Sequence, residues 1–381
     1  MHSEKSQTDV LIAGGGVAAL EAALALRARA GELVQVTLLA PNAEFSYRAV
    51  RVGEPFGHRA ARSYSLERIA NDLRIGLVED SLKWVDADAR VAHTENGLAL
   101  RYDALLLAVG SRTYPSIKHA VTLDPSRIDE QMHGVLQDVE GGYIHSIAFV
   151  IPSTQSWPLP IYELALMTAA RAYEMSVDLT VTLITPEDAP LAVFGTAVSQ
   201  ELGALLGERG ITTHTASRCV MREPHRLTVQ PANNQITVDQ VITLPELYGP
   251  SVAGIPRNAT NGFITTDRHG QVPGVERVFA AGDLTDFPIK HGGIAAQQAD
   301  AAADSIAALA GADIEPQPMV AVLRGQLWCG DRSLDLQARV TGIHGSTSSV
   351  VTEPVAKPET KIDARYLSPY LQEFETVAIT P

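Results

Sequence analysis

The chain has 381 residues, room for about two or three domains, and with 45% apolar and 19% charged residues it is neither disordered nor fibrous. Its net charge of −14, with no basic patch, argues against nucleic acid as a partner. The two cysteines, Cys219 and Cys329, form no C-x-x-C pair and the histidines lack metal-ligand spacing, which excludes a disulfide scaffold and a zinc ribbon and leaves no metal expected.

The polar start MHSEKSQTDV has no apolar signal core, and nowhere do about 18 apolar residues follow one another. The expectation is a cytoplasmic protein without an export signal or a spanning helix. Residues 9–13 (DVLIA) form an unalternating apolar run, as in a parallel strand buried on both faces, ended by Gly14, Gly15 and Gly16. A helix over 17–30 and a strand over 34–40 (VQVTLLA), closed by Pro41 and Asn42, complete a βαβ unit. The same order returns as a strand at 147–151 (IAFVI), a helix at 163–174 and a strand at 179–185 (LTVTLIT). EAALALRARA from Glu21 matches ELALMTAARA from Glu163, and VTLLAP matches VTLITP, so the two halves read as related. Each half closes on a strand that opens with Asp: 102–110 (YDALLLAVG) and 239–245 (DQVITLP). A third segment, 278–283 (VFAAGD), leads through His291, Gly292 and Gly293 into an Ala-rich helix over 294–310. Short strands follow at 319–323, 326–329 and 333–340, then a Ser/Thr/Pro-rich loop over 341–360 and an apolar tail (RYLSPYLQEF) that Pro369 is expected to interrupt.

Gly14-x-Gly16-x-x-Ala19 between a strand and a helix is the dinucleotide fingerprint in its required setting. Glycines admit a pyrophosphate to bare backbone, and the helix N-terminus supplies N–H donors and a positive dipole. The acidic residue that usually binds the ribose is missing after the second strand, where Asn42 or Glu44 stands as a substitute.

The order GGGxxA, YDALLLAVG, VFAAGD and KHGG resembles the two-dinucleotide-binding-domain flavoproteins of the pyridine nucleotide-disulfide oxidoreductase superfamily. It is most similar to the branch of sulfide:quinone oxidoreductases, flavocytochrome c sulfide dehydrogenases and type II NADH dehydrogenases, over residues 8 to 330. The resemblance implies FAD as cofactor, with Gly14, Gly16 and Ala19 at its pyrophosphate, the backbone near Leu82 at the adenine, and Ala108 to Gly110 at the family's Ala-Thr-Gly turn. It implies further that Gly282 and Asp283 meet the ribitol, and that Lys290 and the helix after Gly292 and Gly293 face the flavin's pyrimidine edge. A cation and a helix N-terminus there stabilise the anionic reduced flavin. Arg48 and Arg51, in FSYRAVR, are candidates to face the FAD phosphates.

Departures from the family narrow the function. The second half has no G-x-G-x-x-G: its first strand runs into PSTQSWPLP, and the spacing from Pro152 to Glu163 is eleven positions against seven from Gly14 to Glu21. Leu244, Pro245 and Glu246 replace the second Ala-x-Gly turn, so an orthodox NAD(P)H site is not expected. The loop also lacks the redox cysteine of the sulfide-oxidising members. Trp157 is a candidate to cover the flavin or stack on a quinone, and His291 reads either as a proton relay or as a helix cap. The apolar tail reads as packing on the FAD domain or as weak peripheral membrane contact.

The expected architecture is α/β, with two three-layer Rossmann-like dinucleotide-binding domains, the second inserted in the first, and a small C-terminal cap. The FAD-binding domain is expected over 1–115 and 255–310, the degenerate second domain over 116–254, and the cap over 311–381. The expected function is an FAD-dependent oxidoreductase passing electrons to a quinone or another small acceptor. An NAD(P)H-dependent enzyme with an unorthodox nicotinamide site and a non-catalytic flavin-binding sensor are the alternatives; oligomeric state is not legible.

Overall fold

In the computed structural model, which describes residues 7–58, 60–340, 345–351 and 361–379, two five-stranded parallel sheets carry the chain. The first has strand order Val278–Ala280, Ala104–Leu107, Thr8–Ala13, Val34–Ala40, Gly76–Glu79. The second has the order Val121–Thr122, Gln240–Thr243, Ser146–Val150, Thr180–Ile184, Thr212–His214. In both, the strand that opens the half lies at the centre, flanked by the strand after its helix and by the strand that closes the half. That is the Rossmann-like doublet the sequence repeat implied.

The unalternating strands are explained by burial on two faces. Val10 and Ile12 pack with the helices Val17–Arg29 and Gly292–Leu309, while Leu11 and Ala13 pack with Val85 and Ala92 of an antiparallel meander. The second sheet repeats the layering, with Ile147 and Phe149 on the helix side and Ala148 and Val150 against a meander carrying Leu227 and Val229. The aspartates opening the closing strands share one role: Asp103 accepts from the Asp9 N–H at 3.0 Å, and Asp239 from the His145 and Ser146 N–H groups at 2.8 and 2.9 Å.

Several boundaries differ from the sequence reading. The helix of the second half begins at Leu159, four residues before 163, because Pro158 and Pro160 suit a first turn whose N–H groups have no partner inside the helix. The strands expected at 319–323 and 326–329 are one strand, Val322–Trp328, paired with Ser333–Val340. Part of the expected 341–360 loop is a third strand, Gly345–Val351, paired with the same neighbour; the rest of that segment lies outside the described residues. Pro369 does not interrupt the tail, because it stands in the first turn of the helix Leu367–Ile379, where its missing N–H costs nothing. Leu367 and Leu371 enter the core beside the helix Val17–Arg29, and Phe374 packs on Tyr64 and Arg68.

The repeated glutamates Glu21 and Glu163 are both buried and both hold the C-terminal segment. Glu21 accepts the Tyr366 and Leu367 N–H groups at 2.9 and 2.6 Å. Glu163 accepts the Trp328 N–H at 2.9 Å and pairs with the Lys361 ammonium, which lies 3.6 Å above the Trp328 ring. Removing one member of a buried pair strands the other, so Lys361→Met should lower the unfolding free energy by about 3–5 kcal/mol. Pairing it with Glu163→Gln, which keeps an acceptor for the Trp328 N–H, should recover most of that loss in a denaturant titration.

Burial pushes the Glu21 carboxyl up from 4.5 to about 7, against the opposing pull of the Tyr366 N–H. The folded protein therefore holds this proton more tightly than the unfolded chain does. Its contribution to stability is complete below pH 4.5 and is lost as pH rises through about 7, a change of about 3 kcal/mol. Thermal melts from pH 4.5 to 7.5 should show this downward slope flattened in Glu21→Gln.

Candidate functional site

At the carboxyl ends of the first sheet the chain is stripped to backbone. Gly14, at φ +137°, donates its N–H to Leu39 O at 2.8 Å, and a Cβ placed on it would stand 2.2 Å from the carbonyl oxygen of Ala108. Only glycine allows the first strand and the Ala108 turn to leave the sheet this close together. Gly16 caps the helix Val17–Arg29 with no side-chain cap, and a Cβ there would meet nothing within 4 Å, so the helix N-terminus opens on free space. Gly110, two residues after Ala108, takes φ +73°, and the fully buried Ala19 packs the helix onto the sheet. This open cradle with a positive helix end suits a pyrophosphate.

Beside it, Gly282 (φ +89°) and Asp283 follow the strand Val278–Ala280. The Gly282 N–H donates to Gln298 Oε1 at 2.8 Å, Gln298 Nε2 donates to Thr285 Oγ1 at 3.0 Å, and the Thr285 hydroxyl returns to Gly282 O at 2.9 Å. This closed, buried ring fixes the turn that carries Asp283. The Asp283 carboxylate has no hydrogen-bond partner among the described residues; desolvation pushes its pKa up, and Lys290 pulls it down. Such an acceptor is suited to a hydroxyl-bearing ligand.

Lys290 is buried, donates to Thr285 O and lies 3.8 Å above the ring of Phe263. Burial lowers its pKa to about 8, although Asp283 and Asp286 favour its charge. His291 is the N-cap of the helix Gly292–Leu309, its Nδ1 accepting the Gly293 N–H at 3.2 Å, and burial lowers its pKa to about 4. Near neutral pH it is an uncharged cap. Space around Gly292 and Gly293 is filled by Ile362, the His291 ring and the Asp363 carbonyl, so the C-terminal segment sits on this helix start.

The other sequence candidates lie farther along the rim. Asn42 and Arg48 are exposed beyond the second strand, and Arg51 is engaged by Ser126 O and by Ser46 Oγ at 3.1 Å. Leu82 opens a meander strand just past Glu79, which pairs with Ala40 at the end of the second strand. The structure places Gly14, Gly16, Ala108 and Gly282 around one edge and Lys290, His291 and Trp157 beside it. Gln298, Thr285 and Phe263 were not singled out from sequence; the amide pair Gln297–Gln298 inside an Ala-rich helix was the available signal.

The corresponding edge of the second sheet is closed. Neither Pro158, which caps the helix Leu159–Glu174, nor Pro160 has an N–H, and the Ile161 N–H is spent on Pro158 O at 3.0 Å. Glu187, past the second strand of this half, accepts from Tyr162 Oη at 2.8 Å and Thr185 Oγ1 at 3.0 Å, so its carboxyl is held by protein. Burial pushes it up to about 7. A cleft of about 220 Å³ remains between this edge and the segment Pro288–Lys290, bordered also by Trp157, Glu187 and Val193. The Trp157 ring lies 4.7 Å from His291 and 5.9 Å from Phe194. Cys219 belongs to the apolar cluster on the meander side of the second sheet and Cys329 to the cluster on its helix side, so the thiols lie on opposite sides of that sheet. Burial pushes both up to about 12.

This fold is similar to that of the pyridine nucleotide-disulphide oxidoreductases, sulfide:quinone reductases among them, in line with the sequence resemblance. The family model described as pyridine nucleotide-disulphide oxidoreductase matches residues 163–303. Sulfide-quinone reductase of Aquifex aeolicus is 22% identical over 297 residues, covering 73% of this chain and 69% of that protein. The crystal structure of the sulfide:quinone oxidoreductase from Aquifex aeolicus superposes with a TM-score of 0.83 at 19% identity, covering 96% of this chain and 90% of the other. A ferredoxin reductase from Rhodopseudomonas palustris gives a TM-score of 0.64 at 20% identity, over 88% of this chain and 83% of the other. No helix among the described residues is long and apolar enough to cross a membrane, and they contain no cluster of metal-ligating side chains.

Asp283→Ala should weaken retention of a bound flavin about ten- to a hundredfold, the value of a charge-assisted hydrogen bond. Gln298→Leu should weaken it less, by loosening the turn. Flavin content after dialysis, compared at equal folded protein, measures both.

Proposed function

We propose that the chain is an FAD-dependent oxidoreductase that passes electrons to a quinone or another small acceptor without an orthodox NAD(P)H site or a redox-active cysteine pair. The observation that carries this reading is the contrast between two homologous turns. One opens bare glycine backbone onto a helix N-terminus, and the other presents prolines and Trp157. Residues 1–115 and 255–310 form the FAD domain in this reading, 116–254 the second domain and 311–381 the cap.

Gly14, Gly16 and Ala19 would hold the pyrophosphate, with Ala108 and Gly110 beside it. Leu82 backbone, Asn42 and Arg48 would line the adenosine end, and Gly282 and Asp283 the ribitol. Bound there, FAD supplies two-electron chemistry. The Lys290 ammonium and the helix starting at Gly292 and Gly293 would set positive potential beside the flavin edge on which reduction adds negative charge. With its pKa near 8, Lys290 holds a proton at neutral pH and can yield it, whereas capping occupies His291. The separation of Cys219 from Cys329 across a sheet supports electron transfer without a disulfide relay.

NADH and NADPH should therefore reduce the bound flavin poorly, and reduced flavin should be reoxidised by a soluble quinone. Anaerobic rapid mixing tests both. Saturable bleaching of the flavin band by NADH at useful turnover would overturn the reading.

A further inference from the structure

Two buried carboxylates at matching positions of the duplicated halves tie down the C-terminal segment, and the two ties differ in charge. Glu163 is compensated: it pairs with the Lys361 ammonium, which also lies over the Trp328 ring, and it accepts the Trp328 N–H. Glu21 is not. It accepts the Tyr366 and Leu367 N–H groups at 2.9 and 2.6 Å, and no cation pairs with it among the described residues. The nearby cations are engaged elsewhere: Arg29 pairs with Asp304 and donates to Tyr366 Oη at 3.1 Å, and the Arg365 guanidinium lies 5.4 Å from the centre of the Tyr366 ring. From the helix Gly292–Leu309, Asp300 adds a like charge beside Glu21, although Arg29 and Arg365 favour its ionisation, and its Oδ1 is buried without a hydrogen-bond partner. A turn farther along the tail, Asp72 and Arg68 face Tyr370.

Ionised together, Glu21 and Asp300 put two negative charges into one apolar seam, and lifting the tail from Tyr366 onward lets water reach Glu21. The apolar hold against that release is short, since Leu367 and Leu371 are the apolar side chains of the tail helix buried in the core among the described residues, and release returns conformational entropy. The Lys361 end has the opposite balance, because leaving would strand a buried charge. We propose that residues 361–379 form a pH-operated clasp: its Lys361 end stays fixed to Glu163, and its Tyr366–Leu371 part leaves the seam between the helices Val17–Arg29 and Gly292–Leu309 when Glu21 and Asp300 are both ionised. Burial holds the Glu21 carboxyl at about 7 and that of Asp300 at about 6 while the clasp is seated, and a solvated Glu21 returns toward 4.5. Protonation therefore favours the seated clasp. The open-to-seated ratio rises with pH between about 4.5 and 7, by at most about 300-fold, and levels off above that range.

The test is electron paramagnetic resonance of the full-length protein carrying a nitroxide at Glu373→Cys, an exposed position of the tail helix, in a Cys219→Ala background; Cys329 is fully buried. The mobile component of the line shape should grow from about pH 5 to about pH 7.5 and then level off. Glu21→Gln, which cannot ionise, should hold it at its acid level throughout. Where Glu21→Gln releases the tail at every pH, because its amide offers one acceptor to two N–H groups, Asp300→Asn decides. That variant touches no N–H of the tail; it should leave the spectrum at about pH 5 unchanged and cut the rise above it. A wild-type line shape that stays constant from about pH 5 to about pH 8 would overturn the clasp. So would a rise that persists in full in Glu21→Gln, or one in Asp300→Asn equal to that of the wild type.

Discussion

The carboxyl edge of the first sheet depends on one steric constraint, the contact between the Gly14 backbone and the carbonyl of Ala108. Because no side chain intervenes, the opening strand and the closing strand leave the sheet together, and the first helix turns away with its N-terminus uncovered. Gly282 repeats the device from the neighbouring strand, where a Cβ would press to 3.2 Å from Ala18 Cβ. Three chain segments distant in sequence thus converge with almost no side-chain volume. A cradle for an extended, phosphate-bearing ligand requires that arrangement, and a row of larger residues would fill it.

The second sheet shows what happens when the frame persists without the constraint. The parallel order, the Asp that ties the closing strand to the opening one, and the buried glutamate of the first helix all recur. These are structural features, since they satisfy backbone donors or anchor the C-terminal segment, and both halves need them. The glycines are absent, and prolines, Trp157 and a carboxylate held by Tyr162 and Thr185 occupy the edge. The halves have kept the contacts that fold them and differ in the contacts that face a ligand.

Between these edges, low dielectric sets the charge states. Lys290 is less basic than a free lysine, His291 is neutral, Asp283 is less acidic than a free carboxylate, and Glu187 titrates near neutrality, each chiefly through burial. Proton-holding groups therefore lie near both the cradle and the cleft. The C-terminal segment reaches the same place, with Ile362 against Gly292 and its N–H donated to Tyr47 Oη at 2.8 Å. The C-terminal segment thus bears directly on the start of the helix Gly292–Leu309.

Local pattern determined much of this by itself. The unbroken apolar runs marked parallel strands, the glycine spacing marked the cradle, and EAALALRARA against ELALMTAARA disclosed the duplication, because each depends on neighbours in sequence. Boundaries were less legible where a proline's effect depends on its place in a turn, as at Pro158, Pro160 and Pro369. The strand Gly345–Val351 was hidden because Ser and Thr there pair with a partner that only the fold supplies. Tertiary structure alone decided that Gln298 and Thr285 close a ring on the Gly-Asp turn, that His291 is a cap, and that Glu21 and Glu163 grip the C-terminal segment. Those contacts join residues up to 346 positions apart. Which partner a buried polar group finds is set by the packing of whole elements, which no window of sequence contains.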